Sequence, residues 1–344
     1  MKSKKILVII CLVFNVFLAG CFYFDVGIGI ITLPSYRKIK IPLASRDYRE
    51  VIVNVNEQNR IFHTLQRVGD RLQMRTINFE GKVINQKLLP LFTKSYCAQN
   101  AYTVSPDGNN IIYFNYNTKG LHIYDISTST ESVLLENFAS SGHSIKNISY
   151  LSETDIIIIA SNDEEIGREE NVILRHHIAS SKSTTIISPI YLSEFYYAFS
   201  KSKRYLAFWE GRKKHDIYGN IKILDLNTFQ IIKTTSNEGE SLISNPSWSP
   251  SEKLIAYVKD NSIMTLSMEG TIERTIKEFP ENYICYHLKF LDEKTILYVL
   301  EKEGLFSRAR TILLDIDSGK ERKGPSLNSN MDIYIVDDGK KILN

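Results

Sequence analysis

One short pattern returns along most of the chain, and it limits the fold more than any other feature. Tyr102-Thr103-Val104-Ser105-Pro106-Asp107-Gly108, followed by Ile111-Ile112-Tyr113-Phe114, reappears as Pro246-Ser247-Trp248-Ser249-Pro250-Ser251-Glu252-Lys253 followed by Leu254-Ile255-Ala256-Tyr257-Val258. Weaker copies are Ala198-Phe199-Ser200-Lys201-Ser202-Lys203 with Tyr205-Leu206-Ala207-Phe208, and Lys289-Phe290-Leu291-Asp292-Glu293-Lys294 with Ile296-Leu297-Tyr298-Val299. Each reads as strand, tight turn, strand. Proline presets φ at the first central turn position, and Asp-Gly or its Ser/Lys stand-ins supply a side-chain acceptor and a permissive φ. A third segment with period-two alternation follows at residues 121–126, 221–226 and 311–316, as expected of a half-buried strand. Short turns such as Asn227-Thr228-Phe229 and Asp317-Ser318-Gly319 then lead into a fourth, more polar strand.

Marked at the first turn, the units fall at Ser105, Leu151, Ser200, Ser249, Leu291 and Val336. The spacing is about 42 to 49 residues, which suits one four-stranded unit. The Ser-Pro-Asp-Gly or Trp-Ser-Pro turn with its downstream Asp resembles the repeat of TolB-like propellers, a relative of the WD40 type, over residues 97–344. That resemblance implies an all-β chain, a β-propeller of four-stranded blades, and conserves turns and strand pairs rather than chemistry. Residues 46–95 and the unit around Ile156 and Ala160 follow the pattern less closely. Seven blades fit the length, six with an extra hairpin being the alternative. The chain ends just after two strand-like runs at residues 333–343, half a blade, and residues 26–33 and 37–43 offer two more. We therefore expect a ring closed by N- and C-terminal strands, which removes exposed sheet edges.

The N-terminus carries an address. Lys2, Lys4 and Lys5 form a basic flank, residues 6–17 an apolar stretch, and Leu18-Ala19-Gly20-Cys21 resembles the lipobox of bacterial lipoproteins. The resemblance implies cleavage before Cys21, acyl chains such as palmitate on Cys21, and a mature protein held at the cell envelope. Phe22 in place of an aspartate favours an outer membrane where the cell has one. An uncleaved single span is the alternative, because the apolar run continues to Leu33. Asn15, Asp25, Gly27 and Gly29, with strand-like alternation over residues 25–30, speak against it. Either reading puts residues beyond about 35 outside the cytoplasm, since the positive flank stays inside. The organisation expected is a signal peptide over 1–20, a tether with closing strands over 21–45, and the propeller over 46–344.

Charge excludes one class of partner. Lys and Arg number 42 against 39 Asp and Glu, and without the three signal lysines the balance is neutral. Nucleic-acid binding relies on clustered cations that displace counterions, so it is not expected. Cys97 and Cys285 belong to no CxxC pair and lie near no histidine at ligand spacing, so both read as buried structural residues, with a disulfide between them the alternative. No metal or other cofactor is expected.

Connection lengths point to a working face. First-to-second strand turns are tight, whereas second-to-third connections lengthen over residues 161–171, 210–220 and 301–310. Loops held by a rigid scaffold are where binding residues concentrate. The partner-binding candidates are Trp209, Arg212, Lys213, Lys214, His215 and Tyr218 on one loop, Asp163, Glu164, Glu165 and Arg168 on its neighbour, and Phe306, Arg308 and Arg310 on a third. The plainer alternative is solvated loop tips with Trp209 packed beneath.

Catalytic signatures are absent: the chain has no GxSxG elbow, P-loop, GxGxxG or HExxH. Prolyl-oligopeptidase-like enzymes join a similar propeller to an α/β-hydrolase domain, and no such domain is expected here. His176 and His177 are adjacent on a strand, point to opposite faces and cannot chelate one metal together. Asp315-Ile316-Asp317-Ser318-Gly319 hints at a calcium loop but lacks the remaining oxygen ligands. The expected function is a non-enzymatic, monomeric, lipid-anchored propeller binding an envelope protein or a peptidoglycan-associated complex. The alternatives are a propeller hydrolase or lyase acting on an envelope glycan or lactone, and a glycan-binding lipoprotein.

Overall fold

The computed structural model describes residues 29–343 apart from 33–36, 41–49, 69–70, 90–101, 116, 137, 139–142, 163–169, 191, 212–218, 236–242, 271, 305–308, 328–333 and 337–340. The signal, the lipobox with Cys21, and Cys97 lie outside the described residues. Among the described residues, 28 strands form seven four-stranded antiparallel sheets.

The first two strands, β1 (Gly29–Thr32) and β2 (Arg37–Lys40), belong to the last sheet. Sheet I is β3 (Glu50–Asn56), β4 (Ile61–Val68), β5 (Arg71–Asn78) and β6 (Val83–Leu89), and sheet II is β7 (Tyr102–Val104), β8 (Asn110–Asn115), β9 (Gly120–Asp125) and β10 (Thr130–Leu135). Sheet III is β11 (His143–Tyr150), β12 (Asp155–Asn162), β13 (Glu170–His177) and β14 (Lys182–Ile190). Sheet IV is β15 (Leu192–Phe199), β16 (Tyr205–Gly211), β17 (Gly219–Asp225) and β18 (Gln230–Thr234). Sheet V is β19 (Ile243–Trp248), β20 (Leu254–Lys259), β21 (Ser262–Ser267) and β22 (Glu273–Glu278). Sheet VI is β23 (Tyr283–Phe290), β24 (Thr295–Lys302), β25 (Arg310–Asp315) and β26 (Glu321–Lys323). Sheet VII joins both ends of the chain, in the order β2, β1, β28 (Lys341–Leu343), β27 (Tyr334–Val336).

Strand chemistry sets each strand's depth. Second strands are apolar on both faces, as in Ile111-Ile112-Tyr113-Phe114 and the run from Ile156 to Ala160, and every one of these residues is buried. A strand covered on both sides needs a sheet on each side. Apolar clusters fill each junction: Leu65 with Ile111 between I and II, Phe114 with Ile158 between II and III, Ile159 with Phe208 between III and IV. The series continues with Trp209 and Tyr257, Val258 and Phe290, and Leu297 with Ile342. Phe62, Ile77 and Leu343 form the seventh junction, between VII and I, so the row of sheets closes into a propeller ring. First strands pack against first strands at the centre, β3 on β7, β7 on β11, β15 on β19 and β19 on β23. Fourth strands are outermost and exposed, as β26 shows.

The repeated turn residues have repeated jobs. The buried hydroxyls of Ser105, Ser200 and Ser249 accept the N–H of Asn110, Tyr205 and Leu254 at 2.9, 3.1 and 3.1 Å, closing the first turn. Asp225 Oδ1 accepts the N–H of Asn227 at 2.8 Å in the third-to-fourth turn, and Asp125 and Asp315 do the same with Ser127 and Ser318. Asp315-to-Gly319 is thus a turn, with Gly319 at φ 67°. Backbone bonds tie the two turns of a sheet together: Ile126 N–H to Asn109 C=O, Leu226 N–H to Arg204 C=O and Ile316 N–H to Lys294 C=O, each 2.8 Å. First-to-second and third-to-fourth turns therefore share one face, here the turn face. Second-to-third connections and the crossings between sheets lie on the other, the loop face.

Candidate functional site

Innermost strands and their turns leave a cavity of about 640 Å³ at the channel mouth on the turn face. Sheet I supplies Val55 and Glu57, sheet IV Phe199 and Lys201, sheet V residues 247–250, sheet VI residues 289–293, and sheet VII Tyr334 and Ile335. Five sheets converge because the first strand of each faces the channel and hands over to its turn at the rim. The walls are fixed: Trp248 Nε1–H donates to Ala198 C=O at 2.9 Å, and Ser247 Oγ accepts the Phe290 N–H at 3.1 Å. Tyr334 O–H donates to Ile52 C=O at 3.3 Å, pinning sheet VII to sheet I.

Among the described residues, each acidic group lining this mouth, Glu57, Asp292 and Glu293, has a bonding partner. Glu57 pairs with Lys201 across the mouth at 2.9 Å, joining sheets I and IV. Asp292 Oδ1 accepts the N–H groups of Lys294 and Thr295, both at 2.8 Å. Glu293 accepts the Ser251 N–H at 2.6 Å and the Ser251 hydroxyl at 2.7 Å, a clasp from sheet V to sheet VI. These are turn and ring contacts, and they leave both charge signs and the apolar Phe199, Trp248 and Phe290 around one opening. Among the described residues no three His, Cys, Asp or Glu side chains are grouped to hold a metal ion.

A second titratable cluster lies between sheets I and IV on the same face. His63 is buried, its Nδ1 pairs with Thr76 Oγ1 at 3.2 Å, and its Nε2 lies over Gly108 without a hydrogen-bond partner. Burial lowers the His63 pKa against the pull of Asp107. Burial lowers that of Lys203, whose Nζ donates to Tyr150 C=O at 2.8 Å, and burial together with Asp107 raises that of Glu153.

On the loop face, the connections expected to be long leave β12, β16 and β24 at Asn162, Gly211 and Lys302 and return at Glu170, Gly219 and Arg310. Glu164, Glu165, Arg168, Arg212, Lys213, His215, Tyr218, Phe306 and Arg308 lie outside the described residues. Arg310 is exposed at the start of β25. Trp209 is 7% exposed and packs with Ile221, Ile223 and Trp248, so it is a core residue and not a surface anchor. Its ring leans on Gly219, where an added Cβ would meet Trp209 Cε2 at 2.7 Å. His176 is fully buried with Nδ1 against Ser183 Oγ at 2.9 Å, while His177 bonds Ser180 in the next turn. Cys285 is a buried free thiol whose pKa is pushed up by burial.

The channel mouth lies on the face opposite the long connections. Its signal was present in Ser249-Pro250 and Leu291-Asp292-Glu293, quoted above only as turn formers.

No family model matches the chain, and no curated protein matches it. Many solved structures do. An oligogalacturonate lyase in complex with manganese superposes with TM-score 0.59 at 12% identity, covering 89% of this chain and 85% of that one. A prolyl endopeptidase matches with TM-score 0.59 at 11% identity over 90% of this chain, which spans 49% of the enzyme. A putative TolB from Agrobacterium tumefaciens matches with TM-score 0.52 at 12% identity, covering 92% of this chain and 96% of that one. Likeness at this identity establishes the β-propeller fold, which in these neighbours accompanies different functions.

Proposed function

We propose that this protein is a non-enzymatic, lipid-anchored binding module of the cell envelope, and that it holds a segment of a protein partner at the channel mouth of its turn face. One observation carries the reading. The cavity is large enough for a ligand, presents both charges beside apolar rings, and has its Glu57, Asp292 and Glu293 carboxylates committed to ring and turn bonds. A general acid or base must keep an oxygen aimed at the proton it moves. Held in these bonds, the three carboxylates offer a partner shape and charge complementarity. The lipobox resemblance at Leu18-Ala19-Gly20-Cys21 supplies the anchor.

The test is crosslinking in cells with a photoreactive residue at position 289 or 201, beside a chain whose residues 212–218 are replaced by Gly and Ser. The expected result is one reproducible envelope protein captured from the cavity positions and retained after the loop replacement. Capture that depends on residues 212–218 and never occurs from 201 or 289 would move the site to the loop face. Turnover of an envelope glycan or lactone by the purified protein would overturn the non-enzymatic reading.

A further inference from the structure

We propose that the Thr118 hydroxyl is an activated nucleophile, and that it takes an acyl group from an ester or a thioester with His122 as its general base. The inference goes beyond the partner-binding reading above and does not rest on it. Sheet II passes from β8 to β9 through a turn that begins at Asn115, and Asn115 pairs with Gly120 where β9 starts. Asn115 Oδ1 accepts the N–H of Asn117 at 3.0 Å and that of Thr118 at 3.4 Å, and Lys119 bends the chain back at φ 53°. The turn sets the exposed Thr118 over His122, which is 5% exposed, so that Thr118 Oγ1 lies 2.7 Å from His122 Nε2. On the other side of the ring, His122 Nδ1 lies 2.5 Å from Glu131 Oε1 on β10. A carboxylate can only accept, so the neutral imidazole carries its proton on Nδ1 and turns the bare Nε2 to the hydroxyl. A nucleophilic hydroxyl needs this order: a base within hydrogen-bond reach, and a third group that fixes the base's tautomer.

The repeat supplies an internal control. Glu131 also accepts the Tyr113 hydroxyl, a bond that Tyr257 makes to Glu273 in sheet V and Tyr298 to Glu321 in sheet VI. Opposite these tyrosines in the ladder stand His122 in sheet II, Met264 in sheet V and Ile312 in sheet VI. Sheets V and VI thus hold the tyrosine and the glutamate together beside an apolar side chain. The imidazole and the hydroxyl above it are additions that this contact does not require, and they are found where the carboxylate is already fixed.

The step balances without a further reactant. Oγ1 forms a bond to the carbonyl carbon of the donor while its proton passes to His122 Nε2, and Glu131 faces the imidazolium that results. The donor's C–O or C–S bond breaks, and Nε2 returns the proton to the departing alkoxide or thiolate. The products are an O-acylated Thr118 and a free alcohol or thiol. Because Thr118 is exposed at a turn, the donor has no cavity to enter. His122 is the catalytic residue, and Glu131 is a positioning residue that acts through it.

The experiment treats the full chain with a tagged fluorophosphonate, which bonds to activated hydroxyls, and maps the tag by peptide mass spectrometry. Labelling of Thr118 about a hundredfold faster than of Thr128, an exposed hydroxyl of the same sheet, is the expected result, in line with general-base assistance. Equal rates at the two positions would overturn the proposal. His122→Gln should bring Thr118 down to the Thr128 rate, and a folded His122→Gln that labels like the parent would overturn the base. Two changes at less buried positions keep the test open if that variant does not fold. Thr118→Ser should keep the fast labelling, and its loss would overturn the hydroxyl as the nucleophile. Glu131→Gln offers an amide N–H to Nδ1, so nitrogen NMR of the ring should show the proton moved to Nε2 and labelling should fall about tenfold or more; labelling unchanged after that move would overturn the positioning role. A simple acetyl thioester in place of the fluorophosphonate should add one acetyl group at Thr118, and failure to do so would overturn the acyl donor class.

Discussion

Among the described residues, the turn face of the ring and the loop-face end of sheet I are secured in opposite ways. On the turn face, neighbouring sheets are clasped by small polar contacts repeated near water: Ser202 donates its N–H and hydroxyl to Glu252, Ser251 does the same to Glu293, Lys341 reaches Phe79 and Glu80, and Lys201 reaches Glu57. Toward the loop-face end of sheet I, one buried group dominates. Glu50, 1% exposed, accepts Arg75 Nε–H at 2.7 Å and a second guanidinium N–H at 2.5 Å, with the Thr64 hydroxyl on the same carboxylate. Alternation puts Thr64 and Arg75 on the side of the sheet that carries Phe62 and Ile77, facing the closing sheet. Distributed contacts can be lost singly at small cost. A buried ion pair is lost all at once.

The largest effect is therefore expected from Arg75→Met, which leaves the Glu50 carboxylate buried without its cation and should destabilise by roughly 3–5 kcal/mol. A urea midpoint at unchanged slope measures it, and a loss too small to resolve would erase the contrast between the faces. The double variant Glu50→Leu/Arg75→Met is expected to recover most of that loss, because it removes the stranded charge along with its partner.

Two glycines compare the faces next. At Gly219, by the loop face, an ideal Cβ would sit 2.2 Å from the Glu210 carbonyl oxygen and 2.7 Å from the Trp209 ring. Backbone cannot move aside, so Gly219→Ala should cost about 2–3 kcal/mol. Gly108, in the Ser105 turn, has φ 78° and a Cβ position 2.7 Å from the His63 imidazole. Here the obstacle is a side chain, and Gly108→Ala should cost about 1–2 kcal/mol. Thermal melts of the pair test the order, and a costlier Gly108→Ala would reverse it.

Acid should attack the turn face first. Burial works to raise the Asp225 pKa, but the Asn227 N–H, Arg204 and the Thr228 N–H together hold it below the usual carboxylate value. Arg175 leads the causes that lower Asp155. A depressed carboxylate contributes stability that is present above its unfolded pKa of about 3.9 and disappears as pH falls through the lower folded value. His63 and His176 add an earlier step, since burial holds both below the ordinary histidine value. The unfolded chain takes up those protons first, so stability begins to fall as pH drops through about 6.5. Melting temperature followed from pH 8 to pH 3 reads both steps, and Asp225→Asn should flatten the lower one. A melting temperature that holds steady to pH 3 would contradict both assignments.

Much of the fold was legible because the repeat encodes turns locally: Ser105, Ser200 and Ser249 and the Asp125, Asp225 and Asp315 acceptors do the jobs their residue types suggest. The closing sheet was legible from strand counting, because half a sheet at each end has one way to satisfy its edges. Sheet I was faint, since its first turn uses Asn56 and Arg60 at φ 53° in place of Ser-Pro-Asp-Gly. Trp209 illustrates what a sequence hides: an aromatic next to a charged loop resembles a surface anchor until strand register buries it against Ile221 and Trp248. The channel mouth was hidden for a related reason. It is assembled from five sheets far apart in sequence, by residues that each have a sufficient local explanation.

The repeat also held an unread signal, the tyrosine shared by Tyr113, Tyr257 and Tyr298. Each spans from a second strand to a fourth-strand carboxylate, with Tyr O–H donating to Glu131 at 2.7 Å, Glu273 at 2.7 Å and Glu321 at 2.6 Å. Phe208 stands at that position in sheet IV and makes no such strap. Tyr257→Phe removes one charged hydrogen bond and leaves the packing, so a loss of about 1–2 kcal/mol is expected, measured against Phe208→Tyr, which offers sheet IV a hydroxyl with no facing glutamate and should gain nothing.

The smallest effect on stability and the sharpest on function should meet at Lys201. Its pair with Glu57 is half-exposed at both ends, 53% and 39%, and exposed ion pairs contribute about 0–1 kcal/mol. Lys201→Ala should thus melt almost with the parent. The same change removes a cation from the channel mouth and opens the bridge between sheets I and IV, so capture of a partner from position 289 should change far more than stability does. If capture is untouched while Arg75→Met abolishes it only by unfolding the ring, the turn face holds the ring together and nothing more.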